Sequence, residues 1–290
     1  MTRPLFTGVC TALVTPFLNG KINFPMVRQL IRRQEDAGIR AMVLAGTTGE
    51  APTLSDREKL ELFEKARQYA SSDTLIIAGT GSNCTAHAVE LSKAAEAAGA
   101  NALLVVSPYY NKANPDGLFS HYLSIAHATS LPIILYNVPS RTGLDMPISV
   151  YQRLSRIPNI AGVKEASTDI TKITKIRNAC PRTFTVWSGN DDQAVPAISL
   201  GAQGLISVVS NVAPYETASM CDAALDGDLD TATTLQTDMQ ALIEAMFREV
   251  NPIPVKAAME LLGYDCGPCR LPLGKLSKEN MQHLKDLLIS

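Results

Sequence analysis

Lys164 closes a short apolar run, Ile160-Ala161-Gly162-Val163, and Glu165 follows it at once. An ammonium group beside a core is costly unless it is paired, solvated or neutral. This lysine is therefore either half of an ion pair or an amine with chemistry to perform. Successive residues of a strand point to opposite faces. Gly162 and Lys164 then share one face and Ala161, Val163 and Glu165 the other, which counts against a Lys164–Glu165 surface pair. On the run Pro132–Ser140 the same parity gives Ile134 and Tyr136 a common face. If both faces line one interior, Tyr136 and Lys164 are neighbours. An ordinary lysine, with a pKa near ~10.4, is only about 0.4% neutral at pH 8. A confined, weakly polar mouth disfavours the charged form and makes the amine a nucleophile toward carbonyls. Tyr136 is then placed to carry protons to and from a carbinolamine.

Other residue groups point to anion binding. "GTTGE" at 46–50 combines flexible glycines, the hydroxyls of Thr47 and Thr48, and consecutive backbone N–H groups, a set suited to a carboxylate or phosphate. An ordinary strand-to-helix turn reads the same way. Arg141 lies five residues past Tyr136 on the same loop, a reasonable place for a carboxylate clamp. His87, His121, His127 and His283 show no metal-ligand spacing, which argues against metal-dependent aldol chemistry. Six cysteines are scattered without a disulfide pattern. Cys266 and Cys269 spell "CGPC", yet they sit far from any small βαβ unit and read as a loop between C-terminal helices.

These groups need a frame. Eight short apolar segments end in polar clusters: "VCTALVTPF", "AMVLAGTTGE", "TLIIAGTGSN", "ALLVVSPYYN", "PIILYNVPS", "IAGVKEAS", "TFTVWSGND" and "GLISVVSN". Helical patterns separate them, among them "FPMVRQLIRRQEDAG" and "SDREKLELFEKARQYA", the latter opened by a Ser55–Glu58 capping-box spacing. Strand followed by helix eight times predicts a (β/α)8 barrel, an α/β fold whose chemistry lies at the C-terminal ends of the strands. A barrel domain over 1–225 and a small helical extension over 226–290 are expected. At 290 residues with a formal net charge of −2 and no basic or acidic block, nothing points to nucleic acid or anionic lipid. The apolar runs are too short to span a membrane, and the N-terminal run has no signal-peptide core, so a cytoplasmic protein is expected.

Taken together, "TGVCTALVTPF", "GTTGE", "PYYN", "YNVPSRTG", "VKEAS", "SGND", "NPIPVK" and "RLPL" resemble the pyruvate-dependent class I aldolase family, and within it most closely the dihydrodipicolinate synthase family. The resemblance runs essentially the full length. It implies that Lys164 condenses with pyruvate while Thr47 and Thr48 hold the pyruvate carboxylate. Tyr136, Thr47 and Tyr110 would form a proton relay, with Tyr110 supplied by a neighbouring subunit. Arg141 would bind the carboxylate of L-aspartate 4-semialdehyde, and backbone atoms of Gly189 and Ile206 would line the pocket. The product implied is 4-hydroxy-tetrahydrodipicolinate plus water, the first committed step of diaminopimelate and lysine biosynthesis. No metal or organic cofactor is implied. The shared tyrosine requires at least a homodimer, and the family is usually tetrameric.

The resemblance also implies an interface site for lysine as inhibitor, to which Asn83, His87 and Tyr109 correspond. His87 stands where sensitive members often carry an acidic residue, and Asp56 and Lys59 replace histidines found in some of them. Weak or absent lysine feedback is expected. Two rivals are a sialic acid lyase or 2-keto-3-deoxy sugar acid aldolase, which usually lacks the "PSRTG" arginine, and a non-catalytic barrel. A redox protein built on "CGPC" is a third.

Overall fold

A computed structural model describes residues 4–289. Among them eight strands close into a parallel barrel: β1 (Gly8–Ala12), β2 (Ala41–Leu44), β3 (Leu75–Gly79), β4 (Ala102–Val106), β5 (Ile133–Asn137), β6 (Ile160–Glu165), β7 (Thr185–Ser188) and β8 (Gly204–Ser207). They pair in chain order, and β8 returns to β1. All eight apolar segments read from the sequence supply one strand each, and the (β/α)8 fold stands.

Alternation along the strands divides the core in two. Cys10, Val43, Ile77, Leu104, Ile134, Trp187 and Ile206 fill the barrel interior. Val9, Met42, Ile76, Leu103, Leu135, Val163 and Leu205 face outward, under the ring of helices. Both faces are covered, so every strand is apolar nearly throughout. Helices Phe24–Asp36, Asp56–Tyr69, Thr85–Ala97 and Pro115–Ala128 follow β1 to β4. The Ser55–Glu58 capping box forms as the spacing predicts. A short hairpin, Phe17–Leu18 with Lys21–Ile22, interrupts the first crossover and carries no signal that the apolar runs reveal.

β6 departs from simple alternation at one point. Ile133 pairs with Ile160, but Ile134 pairs with Gly162, so Ala161 is an extra residue bulged out of the ladder. Beyond the bulge Tyr136 pairs with Lys164 and the two share the inner face. Without the extra residue Tyr136 would oppose Val163, and Lys164 would turn outward into the helical layer. Gly162 sits here because a Cβ would run into the Thr185 backbone on β7.

After Asp226 the chain is helical: Leu229–Asp238, Gln240–Phe247, Ile253–Leu261 and Lys278–Leu288. The last of these was not read from the sequence. Its Ser277 cap and single buried apolar residue, Leu284, make a weak signal. "CGPC" lies in the loop between the last two helices. Cys266 is buried and its carbonyl accepts a hydrogen bond from Phe17 N–H. Burial pushes both thiols up, Cys266 to about 12 and Cys269 to about 11, the opposite of what a redox motif requires. No helix among the described residues is long and apolar enough to cross a membrane.

The helical extension is locked to the barrel by a buried ion pair. Lys256 Nζ donates to Glu50 Oε1 at 2.8 Å, to Thr15 O at 3.1 Å and to Pro268 O at 3.2 Å. The other Glu50 oxygen accepts Arg270 N–H at 2.8 Å. Breaking such a pair from one side strands the other charge in the interior. Lys256→Met is therefore expected to cost about 3–5 kcal/mol, read as a lower urea midpoint at constant slope; a loss below about 1 kcal/mol would show that the pair carries no structural weight.

Candidate active site

Lys164 is the last residue but one of β6, with its side chain inside the barrel, and it is 5% exposed. Its Nζ lies 4.6 Å from the centroid of the Tyr136 ring, on the neighbouring strand at the same level. An ammonium over a ring face is favoured electrostatically without being neutralised by a carboxylate. Lys164 and Glu165 do not pair. Glu165 points outward, where its carboxylate accepts from Asn137 Nδ2 at 2.9 and 3.1 Å, Tyr151 OH at 3.1 Å and Ser167 N–H at 2.8 Å. Lys172 is its cationic neighbour, at 4.0 Å.

The charge of Lys164 reaches two other buried groups. Burial pushes the Cys10 thiol up to about 12, against a counter-pull from Lys164. Burial also raises the Asp191 carboxyl, opposed by hydrogen bonds from Ser207 and the Val208 and Val209 amides and by Lys164. Asp191 thereby pins the ends of β7 and β8 together behind the lysine.

Gly189, just past β7, gives Lys164 its room. A Cβ there would lie 2.6 Å from Ala166 Cβ and 2.9 Å from Lys164 Cε. Ile206 is fully buried on the inner face of β8.

A cleft of about 690 Å³ opens over this rim, and Thr47, Tyr136, Arg141 and Asn251 are among its lining residues. Thr48 is buried behind the lining, its Oγ1 accepting from Asn251 Nδ2 at 3.0 Å. The Thr47 and Thr48 amides donate to nothing else among the described residues, which leaves two N–H groups for an anion. Ala45 (φ 49°) and Glu50 (φ 57°) bracket this turn in the left-handed region. Each costs of order 1–3 kcal/mol, and the Lys256 and Arg270 contacts to Glu50 hold the turn in place.

Arg141 stands on a short helical turn, Pro139–Thr142, and its Nη2 donates to Asn251 O at 3.1 Å. The structure thus sets Lys164 against Tyr136 and Gly189, and Thr47, Tyr136 and Arg141 along one cleft to which Asn251 ties Thr48; Lys164, Gly189 and Ile206 are not among the residues that line that cleft. Tyr110 stays apart: it is 89% exposed, at φ 73°, outside the cleft. Of the three residues aligned with a lysine site, His87 and Tyr109 line the same cleft and Asn83 does not. His87 Nε2 lies 2.7 Å from Asp56 Oδ2, and Lys59 is 3.5 Å from the other Asp56 oxygen. Burial alone would raise the Asp56 carboxyl, but the His87 hydrogen bond and the Lys59 charge outweigh it and hold it low. Asn251 is the residue that sequence reasoning missed. It stands in the quoted "NPIPVK", but nothing local ties it to a strand end.

The family model for the dihydrodipicolinate synthetase family matches residues 5–290. The chain belongs to the dihydrodipicolinate synthetase family. It is 45% identical over 286 residues to 4-hydroxy-tetrahydrodipicolinate synthase of a Thermoanaerobacter species, covering 98% of this chain and 96% of that one. The crystal structure of dihydrodipicolinate synthase from Aquifex aeolicus superposes with a TM-score of 0.96 at 39% identity, over 98% of this chain and 97% of that one. That of the Cyanidioschyzon merolae enzyme with lysine bound gives 0.96 at 37% identity, over 99% of this chain and 98% of that one. Like the family, the chain is a lyase of the class I aldolase type.

Gly189→Ala is expected to lower kcat roughly tenfold or more by displacing Lys164, with the circular dichroism spectrum unchanged. Full activity in that variant would mean that the lysine has slack the contacts do not show.

Proposed function

We propose that this chain condenses pyruvate with L-aspartate 4-semialdehyde through a Schiff base on Lys164, giving 4-hydroxy-tetrahydrodipicolinate and water at the first committed step of diaminopimelate and lysine biosynthesis. The observation that carries this reading is the inward pairing of Lys164 with Tyr136, 4.6 Å from amine to ring, beside a cleft that also presents Thr47 and Arg141. The neutral lysine amine adds to the keto carbon of pyruvate, and the carbinolamine loses water to give the imine. Tyr136 moves the protons, with Thr47 and Tyr110 completing the relay. Thr47 and Thr48 hold the pyruvate carboxylate, and backbone atoms of Gly189 and Ile206 line the pocket. Loss of a methyl proton gives the enamine, whose carbon attacks the aldehyde. The amino group of the second substrate then adds to the imine carbon, releases Lys164 and closes the ring.

Arg141 favours this substrate over the polyhydroxylated ones of related aldolases, because a guanidinium fork fits a carboxylate. Tyr110, fully out in solvent on one chain, suits delivery into the site of a second copy. The working unit is thus at least a homodimer, with a tetramer as the family's usual form. Barrel residues 1–225 carry the chemistry, and 226–290 form the helical extension that contributes Asn251. The cysteines are all free among the described residues, which suits a reducing cytoplasm. No cofactor enters the sequence of steps.

The test is turnover of both substrates by the purified protein. Lys164→Ala is expected to remove it to background. Arg141→Ala is expected to raise KM for the aldehyde about ten- to a hundredfold while pyruvate binding persists. Equal turnover of the wild type with sugar-derived aldehydes would contradict the assignment.

Lysine feedback is weak in this chain. His87 is engaged with Asp56, and Lys59 sits beside the same carboxylate, adding a charge of the same sign as a lysine ammonium. Turnover is expected to persist under millimolar lysine; strong inhibition below that range would overturn the expectation.

A further inference from the structure

Asn251 touches both halves of the site from the helical extension. Its Nδ2 donates to Thr48 Oγ1 at 3.0 Å, and its backbone carbonyl accepts from Arg141 Nη2 at 3.1 Å. The residue lines the cleft and is 6% exposed. Its Oδ1 is buried without a hydrogen-bond donor among the described residues. An unpaired buried amide oxygen costs on the order of 1–3 kcal/mol, and such groups cluster where function supplies the missing partner.

A carboxylate taken up by Arg141 arrives at the same residue, because Arg141 already rests on the Asn251 carbonyl. In an α-amino acid the ammonium stands one carbon from the carboxylate. We propose that Asn251 is a specificity-determining residue whose Oδ1 accepts a hydrogen bond from the α-ammonium of the second substrate. The approach opens as the incoming carboxylate draws the Arg141 guanidinium off the Asn251 carbonyl. This rests on the reading of Arg141 as the carboxylate clamp. It adds that the site selects an amino aldehyde over the same aldehyde without the amine. The ammonium is released as the free amine only after the carbon–carbon bond has formed, when it must attack the imine.

The test uses the full-length protein with pyruvate and L-aspartate 4-semialdehyde, and titrates succinate semialdehyde as a competitor. The competitor keeps the aldehyde and the carboxylate and lacks only the amine. The wild type is expected to prefer the amino aldehyde about ten- to a hundredfold, the range of a hydrogen bond to a charged group. Asn251→Ala is expected to bring the KM of the amino aldehyde up to the inhibition constant of the competitor, removing the preference. Asn251→Asp keeps an acceptor and is expected to keep it. A purely structural role would weaken both aldehydes together and leave their ratio unmoved, which would overturn the proposal. So would an Asp variant that loses the preference as completely as the Ala variant. Wild-type turnover reports on the assigned reaction and the ratio reports on Asn251, so turnover with an unmoved ratio rejects Asn251 alone, while no turnover rejects both.

Discussion

The buried pair between Glu50 and Lys256 is the contact on which the site's architecture depends. Glu50 closes the "GTTGE" turn in a backbone conformation that a non-glycine residue adopts only under constraint. Lys256 comes from the helix Ile253–Leu261 and also caps the Thr15 and Pro268 carbonyls. One salt bridge therefore holds the "GTTGE" turn after β2, the segment after β1, and the C-terminal loop in a single arrangement. Asn251 enters the cleft two residues before that same helix, so its position is set by the anchor as well. Phe17 packs beneath both cations, 4.4 Å from Lys256 Nζ and 4.3 Å from the Arg270 guanidinium, which keeps the pair dry on that side.

A second constraint sets the direction of Lys164. The bulge at Ala161 shifts the ladder by one residue, and everything after it on β6 inherits the new phase. Glu165, thrown to the outer face by the same phase, is held by Asn137, Tyr151 and Ser167. Burial and the adjacent Glu165 charge keep the Tyr151 phenol protonated, so it remains a donor. Asn137 in turn bonds Asp145 at 2.9 Å, and Lys172 pairs with the same aspartate. The loop that carries Arg141 is thus fastened to the strand that carries Lys164. Outward polar residues that look incidental in the sequence are what keep the inward pair in register.

Much of this was legible in the sequence, and for identifiable reasons. Strand ends rich in Gly, Thr and Tyr mark the rim of a barrel, and period-2 parity alone joined Tyr136 to Lys164. The parity argument worked because both residues lie beyond the bulge; applied to Ile160 it would have failed, since that residue packs in the outer core with Val163. The Glu50–Lys256 pair and the roles of Asn251 and Arg270 were not legible. Those partners lie some two hundred residues apart, and no local periodicity links them. "CGPC" read correctly as a loop, because a redox motif needs a strand-to-helix context that its flanks do not offer. Tyr110 is the reverse case: its place in the relay comes only from the family resemblance, and a single chain leaves it in solvent.

The central claim is that the fold presents the Lys164 amine, and no other, to a keto acid. Incubation with pyruvate and borohydride, followed by peptide mapping by mass spectrometry, tests it most directly. One reduced pyruvyl adduct on Lys164, absent from folded Lys164→Ala protein, is the predicted result. Adducts spread over surface lysines, or none at all in folded wild-type protein, would contradict it and return Lys164 to a structural role.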